Sequence, residues 1–276
     1  MTSRPSPGAV LPVALTVLLC VSPARAYGQE PPSVFLEELT WTEVRAAVDA
    51  GYTTVVIPTA GHEQNGPHMV LGKHHYIVDR TSGLIAEALG RTLVAPTVTY
   101  VPEGRIDPPS GHMRYAGTIT LPNDVFMQVV EHGARSLAVH GFTDIVLIGD
   151  SGGNQDGMRQ VSEKLNAEWA GAGVRVHFVG DYYADNGFED WVVAQGLPRD
   201  ALGSHAGTLD TAQLMAVAPR HVRDGARAPG GGFEGSGVSG DPTLATAELG
   251  RKGIELKVEA AVKQIRDLMN REGGAP

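Results

Sequence analysis

An α/β fold, a three-layer α/β/α sandwich with a mostly parallel central sheet, follows from two features of this sequence. Short β-branched runs alternate with segments of helical periodicity through most of the chain. Those runs are apolar at consecutive positions rather than at every second one, as in strands buried on both faces. The composition permits such a core. With 42% hydrophobic and 19% charged residues among 276, the chain resembles neither a disordered nor a fibrous protein, and one globular domain is expected.

The opening residues stand apart from that pattern. Arg4 is a basic start, residues 9–21 form a short apolar stretch interrupted by Pro12, and Ala24-Arg25-Ala26 has the small-x-small form of a signal-peptidase site. The stretch falls short of the roughly 20 residues that cross a bilayer. Residues 1–26 are therefore read as a signal peptide and residues 27–276 as a single domain. The protein is expected to be exported, periplasmic or secreted, with no membrane association after cleavage.

Residues 53–58 have the pattern of a buried strand, residues 77–89 that of a helix closed by Gly90, and residues 92–95 that of a second strand. Pro122-Asn123-Asp124 opens a helix running to His140, and residues 144–148 form a strongly β-branched strand leading into a glycine turn. A helix over 155–170 and a strand over 174–179 come next. Residues 224–241 are rich in glycine and poor in core residues, which fits a surface loop or a loop covering a site. Helical periodicity returns over 243–270.

Charge and cysteine content narrow the chemistry. The net charge is −9, and cleavage would remove Arg4 and Arg25 but no acid, leaving −11. Such a surface disfavours nucleic acid and anionic lipid as partners. The single cysteine, Cys20, lies in the leader, so disulfides, thiolate metal sites and cysteine nucleophiles are excluded from the mature chain. His, carboxylates, Ser or a metal bound through N and O remain.

The densest group of such residues is Gly61-His62-Glu63-Gln64-Asn65-Gly66-Pro67-His68, directly after the first strand, followed by Lys73-His74-His75 and Asp79. In an open α/β sheet, loops at the carboxyl ends of strands aim side chains into a common crevice. Imidazole and carboxylate together suit Zn, Mn or Fe, and His74 or His75 at a helix start can point back toward Glu63.

From Gly61 to His74 the chain reads G-H-E-Q-N-G-P-H-M-V-L-G-K-H, which resembles the G-x-E-x-H-G-P-H-L-P-L-x-T-D segment of the creatininase (creatinine amidohydrolase) family. Further segments match in order. They are residues 100–104, His112 through Gly117-Thr118-Ile119-Thr120-Leu121, the turn Gly152-Gly153-Asn154, His205-Ala206-Gly207 with Asp210-Thr211, and residues 237–246 with Gly250. The resemblance spans residues 35–260. It implies a three-layer fold, a two-metal site that hydrolyses cyclic amides or related C–N bonds of small molecules, and a homo-oligomeric assembly.

Carried over by position, the usual first metal ligand is Glu63. The second, a His, is here Asn65, and the bridging Asp is here His74. The His before the double glycine is Ser151, with Asp150 beside it, and a ligand Glu of creatininase itself is Gly153. His205 matches a histidine near the reacting group, and Asp210 an acidic residue. A bridging ligand must give one donor atom to each of two ions, which neutral imidazole cannot do. One divalent metal per chain, Zn or Mn, is therefore expected on Glu63, His74 and Asp150, with His62 or His75 as substitutes. His205 and His112 would carry protons.

Two other readings rest on particular residues. Gly149-Asp150-Ser151-Gly152-Gly153 satisfies G-x-S-x-G between a strand and a helix, so Ser151 is a candidate nucleophile with Asp181 or Asp185 and His205 or His221. A catalytically inactive ligand-binding protein would instead use Trp191 and Tyr182-Tyr183 as aromatic contacts.

Overall fold

A computed structural model describes residues 30–272, besides Met1. The expected signal peptide lies outside the described residues. In chain order the elements are α1 (Trp41–Asp49), β1 (Thr54–Thr59), α2 (Lys73–Leu89), β2 (Thr92–Val94), α3 (Asn123–Val139), β3 (Asp144–Gly149), α4 (Gln155–Glu168), β4 (Arg175–Phe178), α5 (Phe188–Ala194), α6 (Arg199–Leu202), α7 (Thr208–Val217) and α8 (Ala247–Glu272).

The four strands form one parallel sheet in the order β2-β1-β3-β4. Consecutive apolar residues in β1 and β3 diverge to opposite faces. Val55, Ile57, Ile145 and Leu147 pack with Phe126 and Val130 of α3 and with Met158 and Val161 of α4. Val56, Val146 and Ile148 pack with Val78 and Ile85 of α2 and with Ala261 and Ile265 of α8. The three layers are thus the direct consequence of strands apolar on both sides.

Pro58 lies inside the central strand β1, where a missing N–H would ordinarily break the ladder. Its carbonyl, like that of Val56, faces the β2 side, accepting from Val98 N at 2.9 Å, while Val56 O takes Ala95 N at 2.8 Å. The N–H that proline lacks would point the same way, past the end of β2 at Val94, so no sheet bond is lost.

Helix α2 begins at Lys73, four residues before the apolar periodicity starts. Its first turn buries Lys73 and His74, polar residues that a hydrophobic pattern cannot register. Helices α1, α5, α6 and α7 lie outside the helical segments read from the sequence; α1 is fixed by a capping box in which Thr40 and Glu43 satisfy each other's backbone N–H groups. The glycine-rich stretch has one short 3-10 turn, Asp224–Ala226, before Asp241.

Because Leu147 of β3 is fully buried in the cluster that α3 and α4 share with the sheet, Leu147→Ala should lower the free energy of unfolding by about 2–5 kcal/mol. Chemical denaturation would read this as a lower midpoint at unchanged slope, and a loss under about 0.5 kcal/mol would contradict the packing described.

Candidate functional site

Five loops and helix ends converge at the carboxyl edge of the sheet. Glu63 comes from the turn after β1, Lys73 and His74 from the first turn of α2, and Glu103 and His112 from the segment after β2. Asp150 and Ser151 follow β3, and His205 precedes α7. Of the residues singled out in the sequence, Glu63, His74, His112, Asp150, Ser151, His205 and Asp210 line one cavity of about 420 Å³, whereas His62, His75, Asp181, Asp185 and His221 do not.

Within it a chain of ion pairs runs through His74. His74 Nε2 lies 2.8 Å from Glu63 Oε1, and Nδ1 lies 2.8 Å from Asp150 Oδ2. Two carboxylates can only accept, so both ring nitrogens carry protons and His74 is an imidazolium. Burial and the nearby Lys73 work against that charge, but the two carboxylates outweigh them and raise its pKa. Asp150 also accepts from Lys257 Nζ at 2.5 Å and from Tyr182 Oη at 3.2 Å. Burial alone would raise its pKa; Lys257 and His74 instead hold it below the usual carboxylate range. Glu63 is likewise pushed up by burial and pulled well down by His74 and Lys73.

The expected ligand set of Glu63, His74 and Asp150 is therefore arranged differently. His74 has no free lone pair, and Asp150 is committed to His74, Lys257 and Tyr182. Glu63 instead meets His112 and His205, whose ligand atoms and its own lie within 4.8 Å of one another. His112 Nε2 is 3.2 Å from Glu63 Oε2, and His205 Nδ1 is 3.6 Å from Oε1. His205 Nε2 donates to the Gln64 carbonyl at 2.9 Å, which leaves Nδ1 as the free acceptor. Burial lowers the pKa of both rings, that of His205 to about 4, so both are neutral near pH 7.

Glu103 was not marked by the sequence. It accepts from Ser151 Oγ at 3.2 Å and hydrogen-bonds Glu63, and burial with that neighbouring negative charge pushes its pKa up to about 10. Position 153 explains its approach. A Cβ on Gly153 would lie 2.1 Å from the Pro102 carbonyl oxygen, so the 100–104 loop closes over the place a side chain would occupy. Lys73 pairs with Asp210 at 2.8 Å, and Lys257 was also unmarked. A readable signal for Lys257 existed, because it sits at helical spacing from Ile254 and Ala261, on the face of α8 that is buried.

The serine arrangement is not assembled. Ser151 Oγ donates to Glu103, and among the described residues no histidine hydrogen-bonds it. His221 stacks on Tyr76 with centroids 4.3 Å apart. Trp191 packs against the cluster of Phe188, Val192 and Leu202, and Tyr182 is buried with its hydroxyl between Thr81 and Asp150; only Tyr183 of the three aromatics lines the cavity. The glycine-rich segment covers the site. Phe233 stands edge-on to His112 and His205 at 4.9 and 5.9 Å, and Arg114 pairs with Glu234 beside it.

A family model described as creatinine amidohydrolase matches residues 37–265. The chain belongs to the creatininase family. Mycofactocin precursor peptide peptidase of Mycobacterium tuberculosis (strain CDC 1551 / Oshkosh) is 29% identical over 248 residues, covering 80% of this chain and 88% of that protein. Creatinine amidohydrolase of Pseudomonas putida is 28% identical over 191 residues, 68% of this chain and 73% of its own. A manganese creatininase superposes with a TM-score of 0.71 at 24% identity, covering 85% of this chain and 98% of its own. A creatininase variant of Zn-Zn type does so with a TM-score of 0.67 at 25% identity, with the same coverage.

The creatininase donor set is only partly present here. Asn65 Nδ2 donates to the carbonyls of Glu63 and Val70 at 2.9 and 3.2 Å, Gly153 has no side chain, and His74 is fully bonded. Glu63 and His205 offer free lone pairs to one ion, and His112, whose Nδ1 accepts from Gln64 Nε2 at 3.3 Å in the metal-free protein, would join them by moving its proton off Nε2. The 3.2 and 3.6 Å separations run to different oxygens of Glu63, so a tetrahedral ion, whose ligand atoms lie about 3.4 Å apart, would bind with a small turn of that carboxylate or of a ring.

Glu103 supplies a test of this electrostatic picture in protein stripped of metal. Its folded pKa lies above its unfolded value of about 4.3, so stability linked to it is present below that value and is lost as pH rises toward 10, by up to about 1.4 kcal/mol per unit. Glu103→Gln, which mimics the protonated form, should gain on wild type between pH 5 and pH 9 in thermal denaturation. A pH-independent difference would refute the assignment.

Proposed function

We propose that this creatininase-family chain is a hydrolase of small amides or related C–N bonds, cyclic amides and lactones included, that works with one Zn or Mn ion on Glu63, His112 and His205. The observation that carries the reading is the convergence of those three donors at the wall of the 420 Å³ cavity, a size within the range of small-molecule sites. A divalent ion so held would polarise a carbonyl and lower the pKa of water to about 7.

The chain's own residues account for the rest. His74 orients Glu63 from below, as Asp150 and Lys257 orient His74 in turn. The Gln64 carbonyl fixes the tautomer of His205. Glu103, which accepts from Ser151 beside Glu63, is placed to exchange a proton with a departing amine, and Phe233 restricts water at the mouth.

Cleavage of a peptide amide is a second reading. A further cavity of about 460 Å³ shares Asp150, Tyr183, Ser204, His205 and Asp210 with the first, which gives room for a longer chain, and the mycobacterial relatives are named as peptidases.

Amine release from a panel of small amides and short peptides separates the two readings. In either case chelation should abolish turnover and Zn or Mn restore it. Glu63→Gln should cost about 100-fold or more in kcat/KM, and Ser151→Ala less than about 10-fold. Full activity in Glu63→Gln with a dead Ser151→Ala would return the assignment to a serine nucleophile.

Export is proposed on the leader pattern alone. Mass spectrometry of the native protein should find Tyr27 at the mature N-terminus, and soluble protein retaining Met1 would refute it.

A further inference from the structure

Four carboxylates crowd the floor of this site: Glu63, Glu103, Asp150 and Asp210. Two of them are already matched by buried ammonium groups. Lys257, 5% exposed, places Nζ 2.5 Å from Asp150 Oδ1. Lys73, 1% exposed, places Nζ 2.8 Å from Asp210 Oδ2. Asp210 also takes the backbone N–H of Ala206 at 2.7 Å, so this pair ties α2 to the turn that carries His205. Only Glu63 and Glu103 lack a lysine, and they adjoin each other.

Lysine is among the residues least often buried, because stripping water from an ammonium is costly unless a carboxylate replaces it. Two such lysines within one cluster are therefore a feature of the site's charge balance. Glu63, shared with His74, and Glu103, which holds a proton in the metal-free protein, are the carboxylates left to face one divalent ion. A second ion would find Asp150 and Asp210 occupied, and Asn65 offers it a neutral amide that brings no compensating charge.

We propose that Lys73 and Lys257 take the electrostatic place of a second metal ion, so that this centre holds no more than one divalent cation per chain. The creatininase variant of Zn-Zn type would then differ from this chain in the source of its positive charge, mobile ions there and a fixed lysine pair here. The proposal builds on the single-metal reading above but does not require it, since refusal of a second ion is a property of the lysines.

Native mass spectrometry of the whole protein, loaded with excess Mn²⁺ or Zn²⁺ and then desalted, should find at most one ion per chain. Two tightly held ions would overturn the proposal. Lys257→Met removes the cation from Asp150, and a divalent ion is the replacement at hand. Its melting temperature should fall below wild type and then rise with added Mn²⁺ by several degrees more than wild type's does, with one additional ion per chain in the mass spectrum. Lys73→Met asks the same of Asp210 should the first variant fail to fold. If neither variant takes up an additional ion or gains Mn²⁺-dependent stability, the lysines are ordinary structural ion pairs and the proposal fails. No ion on wild type, with uptake in the lysine variants, would count against the single-metal reading while supporting the substitution.

Discussion

His74 lies between two buried carboxylates, each 2.8 Å from one ring nitrogen, and the rest of the centre depends on that contact. Glu63 belongs to the turn after β1, His74 to the first turn of α2 and Asp150 to the end of β3. The imidazolium therefore joins the two central strands of the sheet to the helix packed on their face. Loss of its charge would leave two carboxylates facing each other across an uncharged ring, the situation in which a buried ion is most costly. Parallel strands make this possible, because β1 and β3 end side by side at Thr59 and Gly149 and deliver their following residues to one place.

Around that axis charge is balanced locally. Each carboxyl group of the centre is neutralised: Asp150 by Lys257, Asp210 by Lys73, Glu63 by His74, and Glu103 by its own proton. The neutral His112 and His205 are the polar rings left without a charge-bearing duty, and they sit on the cavity side of Glu63. A cluster of fully satisfied buried polar groups is rigid, which suits a site whose donors must hold their separations to a few tenths of an ångström.

The covering segment has a different character. Phe233 packs on His112 and His205, and its carbonyl accepts from the Tyr115 hydroxyl, but most residues from 224 to 236 are at least partly exposed. Few buried contacts hold it, so it opens at lower cost than the sheet does. A rigid floor and a lightly held cover are the division of labour expected where substrate must enter and water must then be limited.

The sheet, its parallel order and its two covered faces were legible in the sequence because the strands are apolar at consecutive positions, a local pattern. Glu63, His74, His112, Asp150, Ser151 and His205 were legible as members of one site because they fall at strand ends or in family motifs. Their pairing was not. Whether His74 offers a lone pair or a proton depends on Asp150, 76 residues away. Whether Asp150 is free depends on Lys257, 107 residues further on. The proximity of Glu103 to Glu63 depends on a glycine at 153 that lets the Pro102 loop close. Lys73 stood in the densest motif without a role and Lys257 was unmarked, and the partners that bury them, Asp210 and Asp150, are set by the fold. Residue type and spacing fix which groups are available, whereas protonation and ligation are set by distances between segments remote in sequence, and only the tertiary structure determines those.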